Sequence, residues 1–225
     1  MEQAKTLSEK VAQTLTDMIR DNAYTAGDRL PTEKELCAMV GAGRNTVREA
    51  LRLLASRNIV TIRQGAGMFV AQKTGVVEDP LGFSMMSDRK KLTTDLLQVR
   101  LMIEPPIAAL AAQCATEHDI AELLAFLEAM ESAMRKHKPF AQQDAAFHQK
   151  IAECTHNDVM GNLMPIIGNG IATFAREVEK TEYKQTLVSH RKIFEHIRAH
   201  RPFEAEMEMR FHLLYNSNRY QSEEK

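Results

Sequence analysis

The run Gly43-Arg44-Asn45-Thr46-Val47-Arg48-Glu49-Ala50-Leu51 constrains this chain more than any other stretch. Val47, Leu51 and Leu54 recur at helical spacing, so one face of a helix there can pack. Its first turns, with two arginines, an amide and a hydroxyl, then point outward. Such a tip suits the DNA major groove: Arg matches guanine, Asn matches adenine, and Thr or backbone N–H groups hold phosphate. In isolation the same run is only a solvated helix start, so its flanks decide the reading.

Upstream, Val11, Leu15, Met18 and Ile19 share a face of a helix predicted from Leu7 to Asp21, broken by Tyr24 and Gly27-Asp28. Leu30-Pro31-Thr32-Glu33-Lys34-Glu35 follows, where Thr32 and Glu35 form a capping box for a short second helix, Glu33 to about Val40. Gly41 and Gly43 give a tight turn into the third helix, the pattern of a helix-turn-helix. Downstream, Asn58 to Val70 carries two β-rich runs around Gln64-Gly65-Ala66-Gly67, which predicts a hairpin. A hairpin directly after such a helix reads as a wing whose glycine tip lets backbone approach a groove.

The formal net charge of −1 by itself argues against a nucleic-acid partner, but residues 1–75 carry +3 and the remainder −4. A mildly basic head on an acidic body suits local DNA contact with limited nonspecific attraction. Cys37, Cys114 and Cys154 form neither a CxxC motif nor an even framework, and read as reduced, mostly buried thiols of a cytosolic protein. With no apolar run of membrane-spanning length and no signal-peptide core, the expected location is cytoplasmic, away from membranes.

Breakers at Gly75, Asp79-Pro80, Gly82 and Ser87-Asp88 mark a linker over 72–91, between a domain at 1–71 and another at 92–225. In the second, helical periodicity predicts Thr93–Ala115, Glu117–Lys136, Pro139–Thr155, Asp158–Lys180, Tyr183–His200 and Pro202–Tyr220. Pro105-Pro106, and Pro165 further on, should kink or restart their helices. The fold class is therefore mainly α: an N-terminal winged helix-turn-helix of three helices plus a β-hairpin wing, and a C-terminal all-α helical bundle.

Asp144 and His148, four residues apart, share a face with Phe140, Phe147, Ile151 and Cys154. His190 lies with Ile193, Phe194 and Ile197, and His212 with Ala205, Met209 and Leu213. One carboxylate and three imidazoles thus face one core, where unpaired polar groups are costly. A divalent cation is one shared partner; a buried ion pair or plain hydrogen-bonded core histidines are the others. His196 and His200 form a rival pair on the polar side, and His118, His137 and His156 lie near helix ends, so these five read as surface histidines.

The segments L-P-T-E-K-E-L, R-N-T-V-R-E-A-L-R-L-L and I-R-Q-G-A-G-M-F-V, in this order over roughly 7–71, resemble the DNA-binding domain of the GntR superfamily of transcription regulators. The resemblance implies DNA contacts at Lys34, Arg44, Asn45, Thr46, Arg48, Gln64 and Gly65. Arg44 and Arg48 would read bases or clamp phosphates. Lys34, Asn45 and Thr46, with Thr32, would fix phosphate register, and Gln64 and Gly65 would enter the minor groove. Lys34 also reads as an ordinary solvated lysine.

Residues 92–217 resemble the FCD ligand-binding domain of the FadR-type branch, through Arg100-Leu-Met-Ile-Glu104, Asp144-x-x-x-His148, Asn157, Ser189-His190-Arg191 and Met209-Arg-Phe-His212-Leu. That resemblance implies a divalent metal, zinc first and nickel or manganese next, on Asp144, His148, His190 and His212. Positions would stay open for a small carboxylate effector such as a sugar acid or hydroxy acid. Arg100 is the candidate for pairing with that carboxylate, the other reading being a helical Arg100–Glu104 pair. Ser189 stands where an acidic residue is common in the family.

Together these features imply a metabolite-responsive regulator, in most such proteins a repressor, that binds a palindromic double-stranded operator as a homodimer and is not an enzyme. The rivals are a metal-dependent enzyme fused to a DNA-binding head, a regulator with a purely structural metal or none and a long acyl ligand in the bundle, and a bundle that only dimerises.

Overall fold

The computed structural model describes residues 5–72, 74–77, 79–136, 138–174 and 183–222. They form two compact units divided between Pro80 and Leu81.

In the first unit, α1 (Leu7–Asp21) opens on a capping box: the Thr6 hydroxyl accepts from the Glu9 N–H and Glu9 accepts from the Thr6 N–H. It buries Val11, Ala12, Leu15 and Ile19. Thr32 and Glu35 start α2 (Glu33–Val40) in the same way, and Gly41 ends it at φ +64°, the left-handed geometry glycine adopts without cost. Gly43 precedes α3 (Arg44–Ser56) and offers no side-chain cap, so the first N–H groups of α3 stay available. Val47, Ala50, Leu51 and Leu54 close the core against α1 and α2.

The hairpin pairs β1 (Val60–Arg63) with β2 (Gly67–Val70) in an antiparallel register from Val60↔Val70 to Arg63↔Gly67. Segment 27–30, which the sequence marks only as a break, adds a third rung. Leu30 donates to the Met68 carbonyl, Gly27 to that of Val70, and Val70 back to Asp28. The wing is thereby tied to the α1–α2 connection.

The second unit begins before the expected boundary of 92. A 3-10 turn at Phe83–Met85 is fastened by Arg89, which donates to the carbonyls of Phe83 and Ser84, and Phe83 packs on Leu92, Leu96 and Ile167. The helices are α4 (Arg89–Cys114), α5 (Glu117–Arg135), α6 (Ala141–Glu153), α7 (Asp158–Phe174), α8 (Tyr183–Arg198) and α9 (Pro202–Ser222). The end expected for α7, residues 175–180, lies outside the described residues, as does His137.

α4 continues through Pro105-Pro106, and α7 through Pro165, so neither site restarts its helix. An interior proline costs about 3 kcal/mol locally. α4 offsets this by burying Leu96, Leu97, Ile107, Ala108, Ala111 and Ala112 against its neighbours, chiefly α9. The alanines let α9 approach closely, bringing Ala205, Met209 and Leu213 into one core with Leu123, Leu127, Phe147, Ile193 and Phe194.

At one end of the bundle Lys150, nearly buried, donates to Asp119 at 3.2 Å and Glu122 at 2.6 Å, and His156 meets Asp119 at 3.0 Å. His200 Nδ1 donates to the Ala112 carbonyl at 2.9 Å. His156 and His200 are exposed, as the sequence implies, and both sit at helix ends with φ above +50° and tie those ends to neighbours. Cys114 is exposed, contrary to the buried reading, whereas burial pushes the Cys154 thiol up to about 12.

Candidate metal centre and nucleic-acid interface

Helical spacing on α6 points Asp144 and His148 the same way, and the packing of α8 and α9 supplies His190 and His212. One ligand atom from each of the four lies within 4.8 Å of the others. His148 Nε2 is 3.1 Å from His190 Nε2, and Asp144 Oδ1 is 3.2 Å from His190 Nε2 and 4.0 Å from His148 Nε2. All three imidazoles are buried, with Phe147 edge-on to His190; Asp144 alone is partly exposed, its side chain 21 % accessible.

The chemistry of this donor set fits a divalent cation. Burial outweighs the pull of Asp144 and drives His190 down to about 3, and burial likewise drives His212 well below the ordinary histidine range. Both are therefore neutral near pH 7, the form that donates to metals. His148 and His190 meet through their Nε2 atoms, and His190 Nδ1 is buried without a hydrogen-bond partner.

Neighbouring groups fix the donor atoms. The Ser189 hydroxyl donates to the Thr186 carbonyl at 2.9 Å, so its oxygen accepts Nδ1–H of His212 at 2.8 Å. That assignment leaves the His212 lone pair on Nε2, where the Asn216 amide donates at 3.2 Å. Ser189 thus sets the tautomer of His212.

Glu104 was legible only as a helical partner of Arg100. It is instead the link between α4 and the histidine cluster: Oε2 lies 2.6 Å from His148 Nδ1, outside hydrogen-bond alignment. Burial alone would raise the Glu104 carboxyl, but Arg100 and His148 outweigh it and hold it at about 2. Arg100, expected to meet an effector carboxylate, is buried and engaged twice by Glu104, through Nε to Oε1 and Nη2 to Oε2 at 3.3 Å. The pairing has a physical cause: a guanidinium taken out of water binds the nearest carboxylate, four residues along its own helix.

On the first unit, Arg44, Asn45 and Arg48 are exposed on α3 and Thr46 is half-buried. Lys34 is exposed on α2, and Gln64 and Gly65 are exposed at the hairpin turn, with Gly65 at φ +75°. Arg48 reaches across to Glu33 of α2, a contact absent from the sequence reading.

Residues 7–70 match the family "Bacterial regulatory proteins, gntR family", and residues 95–214 match the FCD domain. The chain is 34% identical over 158 residues to the Uxu operon transcriptional regulator of Escherichia coli K12, covering 69% of this chain but only 61% of that relative. It is 29% identical over 198 residues to the galactonate operon transcriptional repressor of the same strain, covering 85% and 86%. With the HTH-type transcriptional repressor NanR of Klebsiella aerogenes the identity is 30% over 93% of this chain and 83% of the relative. The solved structure of Streptococcus agalactiae GntR superposes with a TM-score of 0.83 at 35% identity, covering 94% of this chain and 99% of that one. These relatives are named as transcription regulators, not as enzymes. The two domains, in this order, place the chain in the gntR family of bacterial regulatory proteins, in the FadR-type branch with a C-terminal FCD domain.

Proposed function

We propose that this chain is a metal-dependent, metabolite-responsive transcription regulator that binds a palindromic operator as a homodimer. The observation that carries the sensor half is the convergence of Asp144, His148, His190 and His212 within 4.8 Å. Those four side chains would hold a divalent cation, zinc first and nickel or manganese next. When bound, the cation supplies a Lewis-acidic point that can receive a carboxylate.

The effector class follows from charge and access. The formal charges of Asp144, Glu104 and Arg100 sum to −1. A divalent cation makes this +1, and one monocarboxylate brings a buried site to neutrality. The partly exposed Asp144 is the side from which a small anion can enter, which favours an effector site over a closed structural one. Sugar acids are the first candidates, because one relative is named for the galactonate operon. Arg100 acts on this site through Glu104.

On the other unit, Lys34, Arg44, Asn45, Thr46 and Arg48 present donors to phosphates and bases, while Gln64 and Gly65 reach a minor groove. Phe203 and Phe211, largely exposed on α9, supply apolar surface for a second copy. The effector controls operator affinity only if it binds one arrangement of the dimer better, and a coupling of roughly 1–3 kcal/mol is sufficient.

Elemental analysis of the purified protein tests the reading. About one divalent ion per chain is expected, falling sharply in His190→Ala and His212→Ala, with galactonate raising the melting temperature of the metal-loaded protein alone. Full-length protein without metal, or histidine variants that keep it, would refute the metal site.

A further inference from the structure

Arg48 Nε donates to Glu33 Oε2 at 2.9 Å, joining the exposed face of α3 to the first turn of α2. Both side chains remain accessible, at 55% for Arg48 and 40% for Glu33, so the pair contributes little to folding. It differs from the neighbouring Arg52–Glu49 contact, which lies within one helix at 3.5 Å. Glu33 also sets a carboxylate on the face that otherwise offers Lys34, Arg44, Asn45 and Arg48, where a negative charge opposes approach to phosphate. A group that opposes binding and adds little stability calls for another role.

The geometry of the pair supplies one. A guanidinium has five N–H donors in a rigid fork. Glu33 takes Nε, so the outer edge formed by the two Nη groups is left without a partner among the described residues. That edge is the one that donates two parallel hydrogen bonds to O6 and N7 of a guanine. Unrestrained, a long arginine side chain samples many rotamers and settles as readily on phosphate as on a base. Held at Nε from a second helix, it loses that freedom before it meets DNA, and its remaining donors point in a fixed direction.

We infer that Glu33 is a specificity-determining positioning residue, which holds Arg48 by Nε so that its Nη edge reads a guanine in the major groove. The inference rests on the DNA-binding reading above and deepens it. Glu33 acts through Arg48, so its removal should blur sequence choice while leaving much of the phosphate-driven affinity in place.

The experiment is selection from a random-sequence duplex pool by the full-length protein, followed by anisotropy titrations on the selected duplex and its single-base-pair variants. Wild type, Arg48→Ala, Glu33→Ala, Glu33→Gln and the Glu33→Ala/Arg48→Ala double variant are compared. Arg48→Ala should erase a G·C preference at one position of each half-site, and Glu33→Ala should reduce discrimination at that same position by roughly fivefold or more. The double variant should discriminate no worse than Arg48→Ala. Glu33→Gln, nearly isosteric and still able to accept from Nε–H, should retain part of the preference. Thermal melts check that each variant folds, and Glu33→Gln keeps the test decisive if Glu33→Ala does not. A Glu33→Ala protein that keeps the full preference, or gains affinity equally for all sequences, overturns the inference and leaves a surface ion pair. No enrichment by the wild type would overturn the DNA-binding reading itself, and this one with it.

Discussion

The Glu104 carboxylate on α4 stands 2.6 Å from Nδ1 of His148 on α6, while Arg100 holds its other side. A carboxylate behind a ligating imidazole orients the ring and raises its basicity. Glu104→Gln keeps the shape and removes the charge. Isothermal titration of zinc into chelator-treated protein should give an affinity lower by about 10- to 100-fold. An unchanged affinity would reduce Glu104 to a helix partner of Arg100.

Ser189→Ala removes the acceptor that keeps the His212 proton on Nδ1. Zinc affinity should fall by about tenfold, a smaller loss than for Glu104→Gln because no charge is removed. Ser189→Thr, which retains the hydroxyl, should stay near wild type in the same titration.

Acid should destabilise the metal-free protein from an unusually high pH. His190 has a folded value near 3 against an ordinary 6.5, so between these limits the unfolded chain binds more protons. Stability therefore falls as pH drops below 6.5, by about 1 kcal/mol per pH unit for such a histidine, and His212 acts in the same direction. Glu104, held near 2, adds a loss below about pH 4.5. Denaturant unfolding at pH 7.5, 6.5 and 5.5 should show this slope, flattened in His190→Gln.

Lys150→Met leaves the nearly buried Asp119 without its ammonium partner. The cost should be about 3 kcal/mol, at the low end for a broken buried pair because Glu122 keeps water and His156 still meets Asp119. Urea unfolding should register that loss while zinc affinity stays within about twofold.

Lys34→Ala and Arg44→Ala test the phosphate role. Each should weaken binding to all duplexes alike and lower the salt dependence by about one ion per protomer, read from titrations at several salt concentrations. A change confined to one base pair would make either residue a base reader.

Local rules explain what was legible. The Thr32–Glu35 box, the Gly41 stop and the Asp144–His148 spacing are all set within a few residues, and each stands in the structure as the sequence implies. The Gly27–Leu30 rung, the bond from His200 to Ala112 and the Glu104–His148 contact join distant segments, and no local pattern announces them. At Pro105-Pro106 the local rule allows a restart, and burial along α4 carries the helix through instead. Arg100 and Glu104 were recognised as neighbours, but spacing alone does not say whether such a pair faces water or the core.

The four converging donors come from three helices, α6, α8 and α9, and span residues 144 to 212 of the chain. Any ion gripped there acts as a cross-link, closing two long loops and withdrawing their entropy from the unfolded ensemble. Rigidity of the bundle would then track ion supply before any metabolite arrives, so a starved cell would lose the receptor and the response together.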